Sequence, residues 1–415
     1  MKRLLGSWIF IAIMLLIDFY VFQALRLVTA NLAPKIKWII YCAYWSFTLV
    51  AIVFFIASPY IKSESLPVII KSYLLPLVIG FFIAKLVAAL FFLLDDIRRI
   101  LQWGGTAAVS AFSSGNTGSN NGITRSVFLS WLGLGVGGGL FGTLLYGFGN
   151  KYKYRIEKVK LSFDNLPAAF KGMRIIQISD IHSGSLDDKI AVEKGIQKIM
   201  DQAPDLILFT GDLVNNEASE MKELASVFSK LNAPMGVFSI LGNHDYGDYK
   251  QWGSAEAKKS NLDTLKNIHQ EMGWRLLLNE HVVLEKGNDK FALIGVENWG
   301  AKGNFSKYGD LKKAYEGSEA HAFKLLMSHD PSHWEAEVCK SFNDIDLMLA
   351  GHTHGMQFGV EIPGFRWSPV QYMYKQWAGL YEKNKQKLYI NRGFGFLGYP
   401  GRVGIMPEIT LIELS

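Results

Sequence analysis

Five short clusters of histidine, aspartate and asparagine hold the residues of this chain that could carry chemistry. They are Asp180-Ile181-His182, Gly211-Asp212, Asn243-His244-Asp245, Ser328-His329-Asp330 and His352-Thr353-His354. Imidazole and carboxylate together suit Mn, Fe or Zn rather than calcium or a thiolate-bound metal. Two such cations, about 3.5–4 Å apart, can clamp the attacking and leaving oxygens of an in-line displacement at phosphorus. The clusters therefore predict a metal-dependent reaction at phosphorus.

The spacing inside the clusters favours convergence on one site. Asp180 and His182 are two residues apart, as are His352 and His354. On an extended chain, residues with this spacing lie on the same side. The carboxylate of Asp212 has two oxygens and can bridge two cations. A water molecule held by such cations becomes a hydroxide near neutral pH, which would be the attacking group.

Each cluster follows an apolar segment that predicts a buried strand. Predicted strands at 173–179, 205–209, 235–241, 323–327 and 345–349 alternate with predicted helices at 186–202, 221–231, 262–272 and 332–340. Strand ends are where ligands bind in open α/β sheets, so we expect the clusters to meet at one edge. Segments 274–297 and 387–413 are typical of hairpins and indicate a second sheet. The predicted fold is an α/β domain with a two-sheet β-sandwich flanked by helices.

In their order along the chain, the five clusters resemble the signature of the calcineurin-like metallophosphoesterase superfamily. That signature reads D-x-H, G-D, G-N-H-D/E, H and G-H-x-H, and the resemblance covers residues 173–415. It implies two divalent metal ions, Mn, Fe or Zn. One ion would be held by Asp180, His182 and His354, the other by Asn243, His329 and His352, with Asp212 bridging them.

The resemblance also implies catalytic roles for His244 and Asp245. His244 would face the scissile phosphate and assist the leaving group, and Asp245 would orient its imidazole. No ligand of the signature is missing from the chain. We therefore expect a metal-dependent hydrolase of phosphoric ester or pyrophosphate bonds.

Two C-terminal segments narrow the resemblance to a bacterial membrane-associated subgroup. GHTHGMQ at 351–357 and NRGFG at 391–395 are similar to exported phosphoesterases and to a UDP-2,3-diacylglucosamine pyrophosphatase. Met356 replaces the second glycine that is usual there. Arg392 and Arg402 could contact a substrate phosphate, since guanidinium groups suit phosphate geometry, or form surface salt bridges.

Residues 1–150 are strongly apolar and contain four segments long enough to cross a bilayer, at 4–27, 38–57, 73–94 and 127–148. We therefore predict a four-helix transmembrane region at 1–150 and a phosphoesterase domain at 151–415. A loop rich in Ser, Gly and Asn is predicted at 110–122. Residues 133–138 match GxGxxG, but inside an apolar span such small residues favour helix packing.

Asp18 and Lys85 fall inside the predicted spans. An intramembrane charge is a candidate functional residue. One alternative is thus a transmembrane sensor or transport module that regulates the phosphoesterase domain or is regulated by it. The other interpretation is an ion pair that holds two helices together, or a lysine whose charge reaches the interface.

The charge distribution argues against nucleic acid as a partner. The formal charge of +6 divides into +7 for residues 1–150 and −1 for the rest, so the second part offers no basic groove. The two cysteines cannot form a disulfide framework. The expected partners are the bilayer and a phosphoester substrate, with a lipid-linked substrate the most economical. The expected location is the bacterial inner membrane, with the side of the catalytic domain undecided.

An aromatic-rich stretch at 365–377 has two interpretations. One is an interfacial lip that holds a lipid substrate through Trp367 and Trp377, because Trp and Tyr favour headgroup depth. The other is ordinary packing of a long loop. His269, His281, His321 and His333 lie outside the clusters and are expected to be structural or solvent-exposed.

Overall fold

The structure is a computed structural model that describes residues 2–57, 70–110, 125–303 and 305–415. The chain divides into two compact units, Met1–Tyr146 and Gly147–Ser415. The domain limits of 1–150 and 151–415 stay a prediction. Most of the predicted loop at 110–122 lies outside the described residues.

The apolar N-terminal part forms four α-helices in its described residues. They are α1 (Lys2–Val28), α2 (Pro34–Ala57), α3 (Leu75–Ser110) and α4 (Arg125–Gly147), with a π-helical turn at Ile70–Leu74. The segments Trp8–Val28, Pro34–Ala57, Leu75–Trp103 and Ser126–Asn150 are long and apolar enough to cross a membrane. The predicted third span ended too early, because its helix continues from residue 94 to Ser110. Four candidate spans make this an integral membrane protein.

Small residues let α4 approach α3 closely, as the sequence predicts. A Cβ atom on Gly133 would lie 2.9 Å from the carbonyl oxygen of Ala88, and one on Gly137 would lie 2.5 Å from that of Ala84. Both distances are shorter than a packed side chain allows. Gly133 and Gly137 therefore serve helix packing, whereas a Cβ atom on Gly135 or Gly138, the other two glycines of the GxGxxG match, would meet nothing within 4 Å.

The second unit contains fourteen strands among its described residues. They are β1 (Arg155–Leu161), β2 (Arg174–Ile178), β3 (Leu206–Phe209), β4 (Val237–Ser239), β5 (Arg275–Leu276), β6 (Glu280–Lys286), β7 (Asp289–Gly295), β8 (Lys324–Met327), β9 (Leu347–Ala350), β10 (Val360–Ile362), β11 (Phe365–Trp367), β12 (Gly379–Lys383), β13 (Gln386–Ile390) and β14 (Glu408–Leu414). One sheet has the order β1-β14-β2-β3-β4-β5 and the other β12-β13-β9-β8-β7-β6. Strands β10 and β11 form a separate hairpin.

Of the two predicted hairpins, the structure contains one within 274–297 and does not form the one at 387–413. Within 274–297, β6 and β7 are an antiparallel hairpin, while β5 joins the other sheet. The predicted hairpin at 387–413 is wrong. Its strands belong to different sheets, since β13 pairs with β12 and β9, and β14 pairs with β1 and β2. Sheet partners this far apart in sequence are set by core packing rather than by a local turn.

Helices of three to seventeen residues cover the outer faces of the sheets. They are α5 (Lys189–Met200), α6 (Ala225–Phe228), α7 (Ala255–Glu271), α8 (Leu311–Tyr315) and α9 (Cys339–Ser341). The helix predicted at 221–231 is only the single turn of α6, and the one predicted at 332–340 is a π-helical turn at Trp334–Val338 followed by α9. Helix α7 begins earlier than predicted, where the Ser254 side chain caps it by accepting from Ala257 N.

Alternating side chains of the strands build the core. Ile175 and Leu208 of the first sheet face Phe291, Leu325 and Leu347 of the second in one buried cluster. Their neighbours in sequence point outward and pack under the helices. Two mixed sheets face to face with helices outside confirm the predicted α/β sandwich.

Candidate metal centre and active site

The five clusters lie at the edge where strands of both sheets end. Asp180 and His182 follow β2, Asp212 follows β3, Asn243 follows β4, His329 follows β8, and His352 and His354 follow β9. Asp180 N donates to the carbonyl oxygen of Gly211 over 2.9 Å. Across the two sheets, His352 N donates to both carboxylate oxygens of Asp180 at 3.0 Å. These bonds hold loops from both sheets around one site.

Asp180, His182 and His354 form one group of metal-ligating side chains. Each is buried, and one ligand atom from each lies within 4.8 Å of the others. His354 Nε2 lies 3.0 Å from His182 Nε2 and 3.2 Å from Asp180 Oδ1. Two imidazole nitrogens this close to each other and to a carboxylate are a donor set for Mn, Fe or Zn.

Asp212, His329 and His352 form a second group, with ligand atoms again within 4.8 Å of one another. The side-chain oxygen of Asn243 adjoins it, 3.1 Å from His329 Nε2 and 2.9 Å from His352 Nδ1. This oxygen adds a neutral donor to a carboxylate and two imidazoles. The second group therefore fits a divalent cation as well.

Asp212 lies between the two groups. Its Oδ2 atom is 3.5 Å from His182 Nε2 in the first group and 3.1 Å from His329 Nε2 in the second. Its Oδ1 atom accepts a 2.8 Å hydrogen bond from His244 N, which fixes the carboxylate. Asp212 is the side chain in this arrangement that could bridge two cations.

Burial and charge set the protonation of the site. Burial lowers the pKa of His182 to about 3, against the attraction of Asp212, and burial also lowers the pKa of His352. Burial opposes protonation of His329 too, but the Asp212 carboxylate raises the pKa of His329 to about 10. Despite burial, attraction to His354 holds the pKa of Asp180 below its ordinary value. Neutral imidazoles and ionised carboxylates are the forms that bind metals. His182, His352 and Asp180 are therefore in the binding form, while His329 has to release its proton when a cation binds.

The backbone at five residues of the site is left-handed rather than extended. The φ angles are 52° at Asp180, 48° at His182, 61° at Asp212, 71° at His352 and 51° at His354. The prediction that each His/Asp pair stands on an extended chain is therefore wrong in conformation, although the side chains converge. Each such residue costs of the order of 1–3 kcal/mol, which a fold sustains at functional sites.

A glycine provides the space that the Asp212 loop requires. A Cβ atom on Gly242 would lie 2.2 Å from Asp212 Oδ1 and 2.6 Å from Asp212 N. Any side chain at this position would displace the carboxylate that lies between the two groups. The glycine before Asn243 is thus required by close approach.

The hydrogen bonds give His244 a different partner from the one predicted. His244 Nδ1 lies 2.8 Å from the carbonyl oxygen of Asn215, whereas Asp245 accepts from backbone N–H groups. The Asp245 carboxylate accepts from four backbone N–H groups at 2.8–3.2 Å, those of Gly242, Asp212, Leu213 and Val214. Asp245 therefore orders the loop that carries Asp212 instead of orienting the His244 imidazole.

Arg392 and Arg402 are both buried and engaged inside the protein. Arg392 forms ion pairs with Glu408 and Glu361. Arg402 donates to backbone carbonyl oxygens, at 2.7 Å for Arg392 and 3.1 Å for Gly393, and lies 3.5 Å from His354 Nδ1. These internal contacts favour a structural role, and the predicted substrate contact stays a prediction.

Sequence reasoning missed two tyrosines beside the site. Tyr374 OH lies 2.9 Å from His352 Nε2 and donates to Asp330 Oδ2 over 3.3 Å. Tyr249 OH accepts from Asn243 Nδ2 over 2.8 Å, and its ring lies 4.6 Å from that of His244. Because tyrosines carry no spacing signal relative to the clusters, only the folded chain reveals these partners.

The stretch at 365–377 is divided between core and surface. Trp377 is buried with Val370, Tyr374 and Ile405, which supports the packing interpretation for that residue. Tyr372 and Met373, by contrast, are exposed.

Comparisons with known proteins agree with this geometry. Residues 173–356 match the family model "Calcineurin-like phosphoesterase", and residues 2–150 match "Probable Calcineurin-like phosphoesterase, transmembrane domain". Phosphodiesterase YaeI of Escherichia coli is 31% identical over 61% of this chain and 84% of its own length. The chain belongs to the calcineurin-like phosphoesterase family. The predicted enzyme class, a metal-dependent phosphoesterase, is thereby confirmed.

Two further relatives are similar to this calcineurin-like phosphoesterase. "Uncharacterized metallophosphoesterase YkuE" of Bacillus subtilis is 29% identical over 60% of this chain and 82% of its own length. "Transmembrane protein with metallophosphoesterase domain" of Danio rerio is 27% identical over 63% of this chain. That match spans only 57% of the zebrafish protein.

Proposed function

We propose that this protein is a membrane-anchored dinuclear-metal phosphoesterase that hydrolyses a lipid-linked phosphoester or pyrophosphate. The observation that supports a dinuclear centre is the position of Asp212 Oδ2, within 3.5 Å of a histidine nitrogen in each donor group. Asp180, His182 and His354 would hold one ion, and Asn243, His329 and His352 the other. Two divalent cations, when bound, would supply Lewis-acid activation of water and neutralise charge on the phosphoryl oxygens.

His244 is the proposed proton donor to the leaving oxygen. A carbonyl oxygen only accepts, so His244 Nδ1, 2.8 Å from the Asn215 carbonyl, carries its hydrogen toward that oxygen. Nε2 is then the nitrogen that exchanges a proton with the leaving group. The His244 ring lies 4.9 Å from that of His182, beside the first donor group. Asp245 would act indirectly, by holding the loop of Asp212 and the backbone before His244.

The membrane region supports a substrate that resides in the bilayer. Four candidate spans precede the catalytic unit, and the relatives of similar sequence include membrane proteins with the same domain. We infer Mn, Fe or Zn as the metal from the imidazole-rich donors, and the bacterial cytoplasmic membrane as the location. Domain limits of 1–150 for the anchor and 151–415 for the phosphoesterase complete the proposal.

The spans act as an anchor in this proposal rather than as a sensor or transport module. Lys85 forms an ion pair with Asp18 inside the helices, and Thr48 donates to the other oxygen of Asp18 over 2.6 Å. Each charge therefore has an internal partner. A closed ion pair favours the interpretation that these residues hold helices together.

The test uses full-length protein in detergent, stripped of metal and refilled with Mn²⁺. The substrates are an aryl phosphate monoester, an aryl phosphate diester and a sugar-nucleotide pyrophosphate that carries acyl chains. Asp212→Asn is compared with Asp263→Asn, whose carboxylate is exposed on α7. We expect two metal ions per chain and turnover that Asp212→Asn abolishes and Asp263→Asn retains.

The choice among substrates tests the finer proposal. Preference for the acylated pyrophosphate or another lipid phosphoester supports a lipid-linked substrate. Equal or better turnover of the soluble diester would contradict it. Two bound ions without turnover on any substrate would contradict the hydrolase proposal for this chain.

A further inference from the structure

The β10–β11 hairpin turns its charged side chains toward the protein and its apolar side chains away from it. Its register pairs Val360 with Trp367, Glu361 with Arg366, and Ile362 with Phe365. Because side chains alternate across a strand, the Glu361–Arg366 pair shares one face, and the apolar pairs share the other.

The charged face of the hairpin is turned toward the protein. Glu361 forms an ion pair with the buried Arg392. The guanidinium carbon of Arg366 lies 5.2 Å from the ring centre of Trp377, which is buried, and 5.7 Å from that of Tyr381. Both charged side chains are thus used to fasten the hairpin to the core.

The apolar face is turned away from the protein. Val360 is 42% exposed, Ile362 58% and Phe365 54%. A hairpin with one face on a core normally buries its apolar side chains and solvates the charged ones. Here the arrangement is inverted, so an apolar environment outside the unit is needed to cover Val360, Ile362 and Phe365.

Further exposed apolar side chains lie on segments that adjoin, in sequence, residues of the candidate metal centre. Met356, two residues after His354, is 49% exposed, Met373 is 61% exposed and Tyr372 is 79% exposed. Tyr374, next in sequence, contacts His352. We call Met356, Val360, Ile362, Phe365, Tyr372 and Met373 the apolar rim.

Backbone bonds connect the base of the β10–β11 hairpin to Gly147, the first residue of the second unit. That span includes Gly147, with which the second unit begins. Arg402 N donates to the carbonyl oxygen of Gly147 over 3.0 Å. The next residue, Val403, accepts from Gly359 N over 2.9 Å, directly before β10. The base of the hairpin is therefore tied through Val403 and Arg402 to the first residue of the second unit.

We propose that the apolar rim inserts into the lipid headgroup region of the bilayer that holds the spans. Exposed Ile, Phe, Met and Val side chains are apolar enough to enter that region, and tyrosine is enriched there. A bilayer is the occupant that this chain already requires, and the hairpin base is tied to the segment that emerges from it. The proposal does not depend on turnover, so its failure would be distinct from failure of the proposed function.

The experiment places an environment-sensitive fluorophore on single cysteines in full-length protein reconstituted into bilayers. Cys42 and Cys339 are first replaced by serine. The label sites are Ile362→Cys on the rim and Ile190→Cys on α5, an isoleucine that is also exposed, at 65%. The bilayers contain either ordinary or brominated phospholipids, which quench only fluorophores at membrane depth.

We expect the label at 362 to emit at shorter wavelength and to be quenched by brominated lipid, while the label at 190 is unchanged. Phe365→Cys should repeat the result at 362. Equal quenching at 362 and 190, or none at either site, would overturn the proposal. Energy transfer between chains labelled at 362, without quenching by lipid, would assign the rim to a second copy and overturn it as well. An unchanged unfolding temperature shows that each labelled chain is folded.

Discussion

Both units bury charged side chains, and they do so in opposite ways. In the apolar helices, Lys85 forms an ion pair with one carboxylate oxygen of Asp18, and Thr48 donates to the other oxygen over 2.6 Å. The Lys85 ammonium also lies 4.1 Å from the ring centre of Phe81. The cation and the anion there satisfy each other. At the sheet edge, by contrast, two imidazole nitrogens lie 3.0 Å apart and a second carboxylate stands between two groups of donors.

This difference distinguishes a structural ion pair from a candidate metal-binding site. A pair that closes on itself serves the fold, whereas a surplus of lone pairs needs something from outside. The backbone gives a second criterion, since Asp180, His182, Asp212, His352 and His354 have positive φ. The fold sustains that strain where ligands must converge.

The largest expected effect is the loss of one metal donor. His354→Gln should lower turnover by at least about 10³-fold, because several kcal/mol of charge stabilisation leaves with the cation. The matched variant is His333→Gln, since His333 is also buried but is satisfied by Ser328 and Glu337, each 2.8 Å away. His333→Gln should change the unfolding temperature and leave turnover per folded molecule intact. Metal content and turnover are measured together for both variants. Equal loss of metal and of turnover in His354→Gln and His333→Gln would contradict the distinction between a metal donor and a satisfied buried histidine.

Removing one partner of the Asp18–Lys85 ion pair should lower the stability of the protein rather than its turnover. Asp18→Asn leaves a buried lysine without its counter-ion and should cost about 3–5 kcal/mol of unfolding free energy. Asp96→Asn, whose carboxylate is 43% exposed, is the control and should have little effect. The double variant Asp18→Asn/Lys85→Met should recover stability, as thermal unfolding in detergent would show. Loss of turnover in folded Asp18→Asn would instead favour the regulatory module.

A smaller effect should follow from the hydroxyl that supports His352. Tyr374→Phe removes the group between His352 and Asp330 and should weaken metal affinity by about 10–100-fold. Tyr389→Phe is the control, because Tyr389 is buried and donates to Glu408 away from the donors. The Mn²⁺ concentration that gives half-maximal turnover measures the effect. The same Mn²⁺ dependence in both variants would contradict a role of the Tyr374 hydroxyl in supporting His352.

The donor clusters could be predicted because their information is local. Residue types at strand ends and the glycine before Asn243 are visible in the sequence, and the structure brings these clusters together. The partner of Asp245 could not be predicted, since its four backbone N–H donors converge only after two loops fold. The place of β14 in the first sheet was missed for a related reason, because it depends on packing rather than on turn chemistry.

The smallest expected effect concerns a histidine outside the clusters, which the sequence predicts to be structural or exposed. His269 is fully buried, with Nδ1 3.0 Å from Ser239 Oγ, and burial lowers its pKa to about 3. The unfolded chain, with an ordinary pKa of about 6.5, binds this proton first, so stability is present above that pH and is lost as the pH falls toward 3. Between pH 7 and 5 the loss should be about 1–2 kcal/mol, and His269→Gln should lack it. Urea unfolding of both proteins at constant Mn²⁺ gives the difference curve. A flat difference would show that the imidazole takes up its proton in the folded chain, and the assignment of His269 as a neutral structural histidine would then fail.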